Sequence, residues 1–205
     1  MNAEMQREPV RRKAVWGARI RLAVALAGAL LLTSCSEAIR GGQSPAYLVI
    51  TSLQGSPGLS GSFGSTLQSD VVSDTGGVAQ DAGQASLELT MKDPLAGGPT
   101  AVNAITITQY HVEYIRSDGR NTQGVDVPFA FDGAVTATVS GTATVPFTLV
   151  RVQAKEEAPL KALRFGGGAF VISTIARVTL YGHDQNGRQV SVTGSIDVTF
   201  ADWAG

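Results

Sequence analysis

The stretch Ala176-Arg177-Val178-Thr179-Leu180-Tyr181-Gly182-His183-Asp184-Gln185-Asn186-Gly187-Arg188 runs from an alternating strand into a polar turn. Its Asn186-Gly187 step is a strong hairpin signal, and a two-residue type I′ turn with positive φ at both positions is expected there. The arms are expected at about Val171 to Gly182 and Gln189 to Phe200. In the second arm Val190, Val192, Ile196, Val198 and Phe200 share one face, so burial sets the register. A slip of one residue would turn all five toward water.

Upstream, the same period of two recurs. Leu87, Leu89 and Met91 alternate with Ser86, Glu88, Thr90 and Lys92, giving one buried and one wet face. Ile105 and Ile107 lie on odd positions but Tyr110, Val112 and Tyr114 on even ones, so a strand here must change face near Thr108-Gln109. A one-residue β-bulge does that. Ser117 to Arg120 reads as a turn. Val125, Val127, Phe129 and Phe131 then predict a strand, made an edge by Pro128. Val135 to Val139 and Val145 to Val152 are two further strands or one hairpin around Ser140-Gly141. Tyr47 to Thr51 reads as a buried strand. The Gly/Ser-rich stretch from Gln54 to about Gln84 reads as loop, with an edge strand near Ser65 to Val72. The single helical segment is Lys155 to Leu163, with Glu156-Glu157 at its start, Leu160 and Leu163 on one side, and Gly166-Gly167-Gly168 at its end.

Short strands separated by turns, with one minor helix, predict a mainly β chain folded as an antiparallel sandwich. The closing hairpin resembles the last hairpin of bacterial immunoglobulin-like and fibronectin-type repeats, which often carry an Asp-x-x-Gly-Asn turn. Here Arg188 stands where that pattern has Asn. The resemblance covers roughly the last thirty residues and implies an immunoglobulin-like sandwich. The chain as a whole resembles small bacterial lipoproteins with no assigned function.

The N-terminal end carries an address. Arg7, Arg11, Arg12, Lys13, Arg19 and Arg21 precede an apolar run from Leu22 to Leu32, and Leu32-Thr33-Ser34-Cys35 follows. That is the order of a secretory signal. The run is about a dozen residues, where a membrane span needs roughly 20. Leu32 to Cys35 resembles the bacterial lipobox, which implies cleavage between Ser34 and Cys35 and acylation of the Cys35 thiol. Val10 to Val15 lacks the rest of a twin-arginine pattern, and Met5 would serve equally well as a start. The expected organisation is a lipoprotein signal peptide over 1–34, a lipidated tether over 35–45 reaching at most roughly 35 Å, and a β-sandwich domain over 46–205.

Without its signal the chain retains ten basic and fifteen acidic residues, a net charge of about −5. A mildly acidic chain without Lys/Arg clusters offers no electrostatic footprint for nucleic acid. Cys35 is the only cysteine. The domain therefore folds without a disulfide, and its core must hold it.

The chain's two histidines, His111 and His183, are expected on the wet face of a strand and in a hairpin turn, and there is no Gly-x-Ser-x-Gly elbow. This argues against a Ser-His-Asp hydrolase. No His-x-His, His-Glu-x-x-His or Cys pair suggests zinc. Asp70, Asp74, Asp81 and Asp184 lie in loop-like sequence where calcium ligands occur, yet Asp favours turns without any metal. Gly166 to Gly168 precede a strand, not the helix a phosphate loop needs. Adjacent Glu156-Glu157 suit a helix N-terminus better than acid/base chemistry. No catalytic residue, cofactor or metal is expected.

The expected partners are the lipid bilayer, through acylated Cys35, and an envelope protein. Ser36 resembles the outer-membrane sorting pattern, which implies an outer-membrane lipoprotein facing the periplasm. The leading expectation is a non-enzymatic binding or scaffold module. The rival is a hydrolase or carbohydrate-binding module with a site built from the 54–84 loop and strand ends.

Overall fold

The computed structural model describes residues 43–58, 61–166 and 168–203. The signal, Ser34 and Cys35 lie outside the described residues. Eight strands alternate with short connections: β1 Ala46–Ser56, β2 Thr66–Asp70, β3 Asp81–Met91, β4 Ile105–Ile115, β5 Phe131–Val139, β6 Thr142–Val150, β7 Ile172–Asp184 and β8 Gln189–Ala201. A five-residue helix, α1 (Val152–Glu156), and 3-10 turns at Ala101–Asn103 and Leu160–Leu163 complete the elements of the described residues. No helix among the described residues is long and apolar enough to cross a membrane.

The strands form two sheets, ordered β1-β3-β6 and β2-β8-β7-β4-β5. This is a β-sandwich, and the chain changes sheet on either side of β2, between β3 and β4, and again on either side of β6. One pairing departs from the expected antiparallel pattern, because β2 runs parallel to β8, Leu67 opposite Val198. Strands from both sheets meet face to face through Leu48, Leu87 and Leu149 on one side and Ile107, Val112, Leu180 and Val198 on the other, all buried.

No disulfide bridges the sheets. Instead the fully buried Tyr114 crosses the core, its hydroxyl donating to the Leu149 carbonyl at 2.6 Å and its ring meeting Phe200 edge-on. Burial above all, and the neighbouring Asp81 charge, raise the Tyr114 phenol well above its ordinary value. It therefore stays a neutral donor.

The alternation that predicted these strands holds for most of them. In β8 Ile196, Val198 and Phe200 are buried, with Val190 and Val192 packed beside them. In β4 the register slips between Ile107 and Gln109 against both β5 and β7, the bulge that the parity change requires. β2 supplies the edge strand expected within the Gly/Ser-rich stretch.

Three expectations are corrected. Tyr47 to Thr51 is not fully buried: β1 has one core face and one outer face, so Ala46 and Leu48 are buried while Tyr47 and Val49 face solvent. The Val125 to Phe131 alternation is largely not strand. Val127 and Phe131 are buried, but Thr122 accepts backbone bonds from Val125, Asp126 and Val127, and β5 begins only at Phe131. Of the two alternatives for Val135 to Val152, separate strands are found, since β5 and β6 pair in different sheets. The helix starts earlier than expected and breaks, because Pro159 has no N–H to continue it. Glu156 and Glu157 therefore lie at the C-terminal end of α1, not at its start.

The closing hairpin also differs in detail. The Gly187 N–H donates to Asp184 O and the Asp184 N–H to Arg188 O, each at 3.0 Å. Gly187 has φ of 78°, and Asn186 is not at positive φ. This is a four-residue turn with a glycine bulge rather than a type I′ turn, so only Gly187 needs the left-handed region. Buried Asp184 organises it, its Oδ1 accepting the N–H groups of Asn186 and Arg188 at 2.9 Å each.

Burial alone would raise the Asp184 carboxyl, but those backbone donors outweigh it and hold it below the usual carboxylate range. A depressed native value contributes stability above the unfolded value of about 3.9 that is lost as pH falls through the native one. Asp184→Asn is therefore expected to be less stable than wild type by about 1 to 3 kcal/mol at pH 7. Denaturant titrations on acidification should show that gap closing. An unchanged gap at pH 3 would remove the charge from the explanation.

Candidate functional site

Antiparallel pairing sorts the strand ends. Ala46, Met91, Ile105 and Asp184 share one end of the sandwich, and Ser56, Asp81, Val150, Ile172 and Ala201 share the other. An 11-residue strand such as β1 separates the two by roughly 35 Å. The second end carries the segment between β1 and β3, together with α1.

Asp81 opens β3 opposite Val150, the last residue of β6, and α1 begins two residues after Val150. The chain thus turns back over the strand end and sets Lys155 on Asp81. The Lys155 Nζ donates to Asp81 Oδ1 at 2.9 Å, and both side chains are only 1% exposed. The backbone N–H of Gly58 donates to the same oxygen at 2.9 Å, while the Ser69 hydroxyl donates to Oδ2 at 2.5 Å. One carboxylate therefore ties together β2, β3, the residues after β1, and α1. A carboxylate and an ammonium can both be retained in such burial only when paired and hydrogen-bonded.

Beside this pair lies a cavity of about 330 Å³. Lys155 and Asp81 supply polar lining, Pro57, Val78 and Ala79 supply apolar walls, and Asp70 and Ser73 stand on its margin. Asp70 ends β2 and its Oδ1 accepts the N–H groups of Val72 and Trp203 at 3.4 and 3.2 Å. Its other oxygen has no hydrogen-bond donor among the described residues. Ser73 closes a turn, accepting the Gly77 N–H on its hydroxyl at 3.0 Å.

The same end exposes apolar side chains. Phe165, Phe170 and Val171 project from the segment before β7, at 85%, 64% and 47% exposure. Gly168 in that segment stands against the backbone of Asp202, next to Trp203.

Of the four aspartates weighed as calcium ligands, Asp70 and Asp81 share the cavity. Asp74 lies in the loop between them outside its lining, and Asp184 occupies the opposite end. Among the described residues no three His, Cys, Asp or Glu side chains gather as metal ligands would. His111 is on the sheet face as expected, its Nδ1 2.8 Å from Asp132 Oδ1. His183 lies within β7 rather than in the turn, with Nδ1 3.1 Å from Asp184 O.

Sequence reasoning missed Lys155 and Ser69. A signal for Asp81 was present: extending the odd-numbered alternation of Leu89, Leu87 and Ala85 back through Gly83 places Asp81 on the buried face. A carboxylate there demands a cation. No protein-family model matches the chain, and no curated protein matches it in sequence.

Proposed function

We propose that this chain is a cell-envelope lipoprotein, acylated at Cys35, whose immunoglobulin-like domain is a binding module rather than an enzyme. The lipobox-like Leu32-Thr33-Ser34-Cys35 after an apolar run too short to span supports the anchor. The observation that carries the binding role is the polarity of the domain. The chain enters at Ala46, while the cavity and the exposed Phe165, Phe170 and Val171 gather at the other end. Leu95 and Val102 are exposed in the loop at the Ala46 end, but only at the opposite end does an exposed apolar group, Phe165, Phe170 and Val171, accompany a cavity, the combination expected of a surface for a partner. In this reading the anchor lies in the outer membrane and the domain faces the periplasm, as the resemblance of Ser36 to the sorting pattern implies.

Two measurements test it. Mass spectrometry of membrane-extracted protein should find acylated Cys35 as the first residue, and Cys35→Ala should leave an uncleaved or soluble chain. A photoreactive residue at Phe165 should give a defined envelope adduct, whereas one at Val102, 72% exposed in the turn before β4 at the Ala46 end, should not. An unmodified N-terminus other than Cys35 would end the lipoprotein reading. Equal cross-linking from both ends would end the polar one.

A further inference from the structure

We propose that the cavity lined by Pro57, Val78, Ala79, Asp70, Asp81 and Lys155 binds a neutral, polyhydroxylated ligand of about the size of a monosaccharide. The proposal rests on the binding-module reading and specifies one site within it.

The first observation is an unfinished polar inventory. A lysine ammonium has three donors. Among the described residues that of Lys155 meets one acceptor, Asp81 Oδ1, although the side chain is 1% exposed and lines the cavity. Asp70 Oδ2, also at the cavity, is an acceptor with no donor among the described residues. A hydroxyl group both donates and accepts, so a ligand carrying several of them can satisfy Lys155 and Asp70 together.

The second observation is charge. Asp70 and Asp81 against Lys155 give the lining a formal excess of one negative charge, which repels an anion and admits a neutral molecule. The third is size and wall chemistry. About 330 Å³ lies at the lower end of small-ligand sites. Pro57, Val78 and Ala79 offer apolar surface on which the C–H face of a sugar ring can rest.

Saturation-transfer NMR on the full chain tests this, in a detergent without a sugar headgroup. Glucose and N-acetylglucosamine serve as neutral probes and glucose 6-phosphate as the anionic one. Saturation of a neutral sugar, but not of the phosphate, is expected at millimolar concentration. Asp70→Asn keeps the oxygen that accepts Val72 and Trp203 but turns the other atom into a donor, and it should weaken binding about tenfold. Val78→Trp should fill the cavity and abolish binding, with an unchanged circular dichroism spectrum. No saturation of either neutral sugar, binding of the phosphate alone, or binding that survives Val78→Trp would overturn the assignment. Acylation of Cys35 and cross-linking from Phe165 are read separately. A negative sugar result with both intact sinks the cavity proposal and leaves the binding module standing.

Discussion

Lys155→Met is expected to destabilise the domain by about 3 kcal/mol or more, the lower part of the range for breaking a buried ion pair from one side. The substitution keeps most of the side-chain volume and removes only the charge, so the loss reads the electrostatics rather than a packing void. Asp81 would keep Ser69 and the Gly58 N–H, yet its carboxylate would sit 1% exposed with no cation. Because the pair borders a cavity that can hold water, the loss should stay short of the 5 kcal/mol reached in dry cores.

Combining Lys155→Met with Asp81→Leu should recover part of that stability, since neither charge is then buried alone. Denaturant unfolding followed by circular dichroism measures both variants. A loss below about 1 kcal/mol for Lys155→Met would mean that the bridge behaves as a surface pair despite its burial.

The second large effect is expected at Gly182. A Cβ built there would stand 2.3 Å from the Thr106 carbonyl oxygen and 2.9 Å from Ile107 Cα. Both are backbone atoms of β4, and Gly182 pairs with Ile107 where the β4 register slips. The bulge presses β4 onto β7 at this point, and only a residue without a side chain lets the two strands approach. Gly182→Val must therefore displace a central strand pair, with an expected loss at or above the upper end of the roughly 1 to 3 kcal/mol typical of overpacking. Gly182→Ala should fall between wild type and the valine variant. Thermal unfolding of all three orders them, and equal midpoints would mean that β4 gives way without strain.

Gly182 and Asp81 illustrate how unevenly the molecule was legible. The bulge in β4 could be placed from the switch of Ile105 and Ile107 to Tyr110, Val112 and Tyr114, because side-chain parity is a local property of a strand. That the same bulge requires a glycine on β7 could not be read, since Gly182 appears in sequence only as one residue of an alternating run. The Val125 to Phe131 alternation looked like strand for the same local reason. Its backbone groups were instead satisfied by turns around Thr122, a competition that periodicity does not register. Asn186-Gly187 marked the hairpin correctly but not its turn type. The buried Asp184 carboxylate holds Asn186 and Arg188 in a longer turn with a bulge.

What the sequence by itself determined is therefore what neighbouring residues decide together: the two-residue period of β3, β4 and β8, the bulge, the hairpin at Gly187, and the mainly β, sandwich-forming character of the chain. What only the tertiary structure decided is which distant stretches meet. Lys155 reads as an ordinary helix-surface lysine, and Ser69 as one serine in a Gly/Ser-rich stretch. Their meeting on Asp81 joins positions 74 and 12 residues away from it. The physical reason is that a strand's period follows from backbone geometry, which each short segment carries within itself. The partner of a buried charge follows from where two sheets and a turn of helix come to rest, and no single segment holds that information.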